Sequence, residues 1–93
     1  MPQDYGLHCP NYSNISASAL IKTGAGEVRG IFVASASATP TIKLWDNTSA
    51  ATTVLVNTFT PSAATYYYMG DVRFATGLYI TISGTVDCTV LYF

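Results

Sequence analysis

Leu78-Tyr79-Ile80-Thr81-Ile82-Ser83-Gly84-Thr85-Val86-Asp87-Cys88-Thr89-Val90-Leu91-Tyr92-Phe93 closes the chain. Leu78, Ile80 and Ile82 alternate with Tyr79, Thr81 and Ser83, and Val86, Cys88, Val90 and Tyr92 alternate with Asp87, Thr89, Leu91 and Phe93. A period of two puts one set on a buried face and the other on an outer face of a β-strand. Gly84 between the runs predicts a hairpin turn. The second run ends in Leu-Tyr-Phe, and such a strand is expected to be paired or covered, because a bare apolar edge invites aggregation.

The same signal runs back through the chain. Alternation and breakers predict strands over 15–23, 27–36, 41–45, 52–58, 65–69 and a short segment at 72–75. Gly24-Ala25-Gly26, Ser37-Ala38-Thr39-Pro40, Asp46-Asn47-Thr48-Ser49 and Pro61-Ser62 separate them. No stretch shows the i, i+3, i+4, i+7 spacing of an amphipathic helix. Seven or eight short strands without a helix predict an all-β domain, an antiparallel β-sandwich of jelly-roll-like or other Greek-key order. Residues 1–14 carry Pro2, Gly6 and Pro10 and no apolar period, so they read as an extended N-terminal arm preceding a sandwich over 15–93. The predicted core is Val28, Phe32, Ile42, Leu44, Val54, Val56, Leu78, Ile80, Ile82, Cys88 and Val90.

Charge narrows the function. Only nine of 93 side chains are charged, or 10%, and the net charge is −1; soluble domains average roughly 25%. A domain this small buries only about 60–65% of its unfolded surface, so Ser, Thr, Ala, Asn and Tyr must form its exterior. That surface predicts contact with other protein. There is no basic field for nucleic acid and no apolar run of membrane-spanning length, and the opening residues do not read as a secretory signal, so neither nucleic acid nor a membrane is expected as partner.

Catalytic groupings are sparse. The one histidine, His8, adjoins Cys9 on the arm, and neighbours on an extended chain point apart. One His with Cys9 and Cys88 does not make a zinc site, and Asp46-Asn47 lacks the oxygen ligands of a calcium loop. Gly24-Ala25-Gly26 resembles a phosphate loop only in its glycines, with no helix start after it. No enzyme and no cofactor is expected. The two cysteines read as separate reduced thiols, with a bridge left open as the alternative. Tyr66-Tyr67-Tyr68 would place aromatic rings on both faces of one strand. Two of them could cap the core, one side could meet another subunit, or they could join Trp45 as a sugar-stacking platform. The candidate protein-interface residues are Tyr5, Leu7, Tyr12, Trp45, Tyr66, Tyr67, Tyr68 and Phe93.

The segments Leu20-Ile21-Lys22-Thr23-Gly24-Ala25-Gly26-Glu27-Val28-Arg29-Gly30-Ile31, Thr41-Ile42-Lys43-Leu44-Trp45-Asp46-Asn47-Thr48 and Gly77-Leu78-Tyr79-Ile80-Thr81-Ile82-Ser83-Gly84-Thr85 resemble a group of small β-sandwich structural proteins of tailed bacteriophages. The resemblance leaves out the arm. It implies a virion protein made in the host cytoplasm, of the head decoration or cement type, with the major capsid protein as partner and self-association as a homotrimer. A tail, baseplate or fibre component is the alternative it allows. A carbohydrate-binding module using Trp45 and Tyr66–Tyr68 is the alternative read from the residues. The resemblance carries over no catalytic residue.

Overall fold

A computed structural model describes residues 9–37 and 39–93. Among the described residues there are eight strands: β1 (Asn11–Ile15), β2 (Ala19–Thr23), β3 (Gly26–Ala36), β4 (Thr41–Trp45), β5 (Val54–Phe59), β6 (Thr65–Phe74), β7 (Gly77–Ser83) and β8 (Val86–Tyr92). They form two antiparallel four-stranded sheets in the orders β1-β8-β3-β6 and β2-β7-β4-β5. The first half of the chain therefore pairs with the second half in reverse: β1 with β8, β2 with β7, β3 with β6, β4 with β5. This is the winding of a double-sheet jelly roll.

Several expectations change. The terminal alternating runs do not pair with one another. β7 lies between β2 and β4, and β8 between β1 and β3, so the Gly84 turn (φ 85°) carries the chain from one sheet to the other. The expected 15–23 strand is two strands in different sheets, broken at Ser16-Ala17-Ser18. The sandwich begins earlier than residue 15, because Asn11–Ile15 pairs along β8 from Tyr92 to Cys88. Of the expected arm, residues 1–8 lie outside the described residues. The segments at 65–69 and 72–75 form one strand.

The core lies between the sheets. Val28, Ile31 and Val33 of β3, Phe74 of β6 and Val86, Cys88 and Val90 of β8 meet Ile42 and Leu44 of β4 and Leu78 and Ile80 of β7, all fully buried. Each large side chain contributes about 1.5–3 kcal/mol through burial. Val56 and Ile82 pack half-buried against this cluster. Two expected core residues are exposed: Phe32 at 42% and Val54 at 37%. A break in the alternation displaces Phe32. Between Val28↔Tyr92 and Gly30↔Leu91, β3 carries one extra residue, Arg29, against β8, and between Val28↔Val72 and Gly30↔Tyr68 that same Arg29 faces Met69, Gly70 and Asp71 of β6. Gly70 (φ 76°) and Asp71 (φ 55°) both take left-handed backbone there. Such an irregularity resets which residues face inward. Val28 thus shares the core with Ile31 and Val33, and Phe32 turns out. Val54 sits at the end of edge strand β5, opposite Trp45.

One end of the sandwich is stitched by Asp46. Its carboxylate accepts backbone N–H bonds from Ala75 (3.0 Å), Thr76 (2.8 Å) and Gly77 (3.4 Å), tying the end of β4 to the β6–β7 turn. These donors hold its pKa below the usual carboxylate value.

Candidate functional site: two apolar outer faces

The outer face of the β1-β8-β3-β6 sheet is built in cross-strand rows. Tyr12 of β1 lies opposite Leu91 of β8, Leu91 opposite Gly30 of β3, and Gly30 opposite Tyr68 of β6. The next row runs Asn14, Thr89, Phe32, Tyr66. Tyr12 is 74% exposed, Tyr68 69% and Tyr66 41%. Gly30 has no side chain, and Tyr66 roofs it: a Cβ there would lie 2.5 Å from the Tyr66 hydroxyl and 2.6 Å from the Tyr67 carbonyl oxygen. Tyr66 and Tyr68 are tilted against each other with centroids 6.5 Å apart. Partial burial pushes the Tyr66 phenol pKa up. Asn14 Nδ2 donates to Asp87 Oδ1 (3.1 Å) and the Cys88 carbonyl (3.1 Å), fixing the polar end of its row.

Charges gather beyond the aromatic rows. Glu27 lies opposite Arg73, and Arg29 pairs with Asp71 at 2.9 Å. Asp87, opposite Ser35, marks the other end.

The outer face of the second sheet carries one apolar row. Leu20 lies opposite Tyr79, Tyr79 opposite Trp45, and Trp45 opposite Val54. Leu20 is 45% exposed. Trp45 is held in place: its Nε1 donates to Thr81 Oγ1 at 3.2 Å, and Lys43 Nζ sits 4.3 Å from its ring centroid. A pinned ring with an overlying cation presents a flat, preorganised contact.

The sequence-derived interface residues thus part company. Tyr12, Tyr66 and Tyr68 share one face, and Trp45 lies on the opposite one. Trp45 and the tyrosine triplet therefore form no common sugar platform. Tyr67 points inward, its ring 5.2 Å from Phe59 and its hydroxyl accepting from Ser62 N at 2.7 Å. Phe93 exchanges two backbone bonds with Glu27, and its ring lies under Arg29 at 4.9 Å. Tyr5, Leu7 and His8 lie outside the described residues. Phe32 and Leu20 join the faces without having been expected, while Leu91 takes the outer position its alternation assigned. Strict alternation assigned Phe32 inward, and nothing local marks Leu20 as a row member.

Other candidates acquire structural roles. The Asp46 oxygens accept backbone donors. Gly24, with φ 93°, turns β2 into β3 across the sheets. Among the described residues no group of three His, Cys, Asp or Glu side chains is placed to hold a metal. Cys88 is buried opposite Ile15, while Cys9 is exposed six residues upstream. In extended chain that is about 20 Å, beyond the roughly 7 Å Cα separation a disulfide tolerates; both thiols are free.

No protein-family model, curated protein or solved structure matches this chain.

Proposed function

We propose that this chain is a non-enzymatic structural subunit of a virus particle, a decoration or cement protein that binds the assembled head shell. One observation carries the reading: both outer faces of the sandwich present rows of large apolar side chains, in a domain only 10% charged. A protein remaining free in solution keeps such patches small. A subunit packed among others uses them. The jelly-roll winding recurs in viral capsid and lectin domains, which is support by analogy of fold. The resemblance to phage structural proteins points the same way. In this role the protein acts by mass action. Binding the assembled shell and not its free subunits lowers the free energy of the shell.

The test is co-sedimentation of the purified chain with head shells, and separately with tails, of the phage that encodes it, beside a glycan array. We expect attachment to heads, lost on Leu20→Glu. Binding to tails alone moves the subunit to the tail. Glycan binding without particle binding overturns the proposal.

A further inference from the structure

The face of the β1-β8-β3-β6 sheet is self-complementary, and we propose that it is covered by the same face of a second copy of this chain, related by a two-fold axis parallel to the strands. Such an axis reverses the strand order. It lays β1 over the partner's β6 and β8 over the partner's β3 while leaving each row at its own height. The consequences follow from the register. Tyr12 and Tyr68, the two most exposed rings among the described residues, stand at opposite ends of one row, about 14 Å apart across three strand spacings. The axis stacks Tyr12 of each copy on Tyr68 of the other. Leu91 comes over the Tyr66 ring that roofs Gly30. In the next row Asn14 comes over the partner's β6, where Tyr66 leans away toward Gly30, and Thr89 meets Phe32. Asp87 comes over Ser35, a hydroxyl donor, and not over a second Asp87.

Area favours this occupant and charge permits it. Glu27 opposite Arg73 and the Arg29–Asp71 pair set positive beside negative at one end of the face, so that end brings no like charges together; at the other end each Asp87 carboxylate accepts from its own Asn14 amide. At about 150–250 Å² per aromatic side chain, the exposures of Tyr12, Phe32, Tyr66 and Tyr68 leave on the order of 350–550 Å² in water. A standard interface buries about 800 Å² on each partner, a little over half of it apolar. The four rings match that apolar share. Sheets packed face to face align within about 30°, which a two-fold axis along the strands satisfies with each sheet contributing half the angle. The contact is isologous, so it closes at two copies. It leaves the Leu20–Tyr79–Trp45–Val54 row facing away from the partner.

The inference stands on the surface alone and is tested without any shell. In a Cys9→Ser background, Tyr12→Cys and Tyr68→Cys chains are mixed and treated with a short bis-maleimide, because facing sheets stand about 10 Å apart, farther than the roughly 7 Å Cα separation a disulfide tolerates. We expect the crosslink that joins one variant to the other to dominate over crosslinks joining two copies of the same variant. Light scattering should give a dimer, and Tyr68→Lys should weaken it on the order of tenfold or more while the melting temperature of the fold barely moves. A monomer at roughly 100 μM, where even a weak specific dimer is populated, a trimer, or a dimer indifferent to both Tyr12→Lys and Tyr68→Lys would each overturn it. Leu20→Glu separates the two proposals, because it should abolish shell attachment and leave the dimer intact.

Discussion

Arg29 grips Asp71 with two parallel bonds, Nε to Oδ1 at 2.9 Å and Nη2 to Oδ2 at 3.2 Å, across the place where β3 and β6 fall out of alternation. Asp71 sits at φ 55°, a conformation that Asp and Asn tolerate and β-branched residues do not. The ion pair and the backbone thus hold one irregularity, and that irregularity turns Phe32 outward. The pair keeps Arg29 charged, raising its pKa further.

Substitutions at 71 should therefore rank by backbone as well as charge. Asp71→Asn keeps the backbone preference and loses the charge, for a small fall in melting temperature. Asp71→Val loses both, with about 1–2 kcal/mol from the backbone alone. Thermal melts at low and high salt check this: the Asp71→Asn deficit should shrink with salt, whereas the backbone part of the Asp71→Val deficit should persist. Equal melting temperatures for the two variants would contradict it.

Two phenylalanines should behave oppositely. Phe74 is fully buried between the sheets and Phe32 is on the outer face. Phe74→Ala should cost about 3–5 kcal/mol and Ile80→Ala about 2–5 kcal/mol. Phe32→Ala should leave folding within about 0.5–1 kcal/mol of the parent. Urea unfolding of the three variants measures the difference, and a Phe32 deficit as large as that of Phe74 would place it in the core.

Gly30 should resist any side chain. A methyl group there meets both the Tyr66 hydroxyl and the Tyr67 carbonyl oxygen, so Gly30→Ala should destabilise by about 1–3 kcal/mol. Adding Tyr66→Ala removes only the first obstacle. The double variant should recover part of the loss, since the Tyr67 backbone remains. Full recovery in urea melts refutes this account.

Asp46 ties stability to acid. Its folded-state pKa is depressed, so its contribution is present above the unfolded value of about 3.9 and is lost as pH falls through the folded value. The urea midpoint should drop below about pH 4. Asp46→Asn should be weaker than the parent at pH 7, with the gap closing in acid. A gap that stays constant down to pH 2 would assign the acid sensitivity elsewhere.

The thiols should separate by accessibility. Burial pushes the Cys88 pKa up to about 11, and Cys9 is exposed. A thiol reagent at pH 8 should modify one cysteine in the native protein and two in urea. Two rapid reactions in the native state would mean that β8 is not buried as described.

Alternation, turn residues and composition determined on their own that this chain is all β, that it forms a sandwich, and where most strands lie. Ile42 and Leu44, or Leu78 and Ile80, face inward because a two-residue period acts within a single strand and needs no partner. Which strands pair was decided only by the tertiary structure. The run ending at Ser83 and the run beginning at Val86 look like a hairpin locally, yet β7 and β8 belong to different sheets. Their partners, β1, β2, β3 and β4, all lie far away in sequence. The inward position of Ile31 and Val33 likewise depends on Arg29, one extra residue of β3 against β8 that also faces three residues of β6. The aromatic row joining Tyr12 to Tyr68 has no sequence signature, because four distant strands contribute to it. Local sterics write the strands; burial shared between distant strands chooses their neighbours, and the outer faces are what that choice leaves exposed.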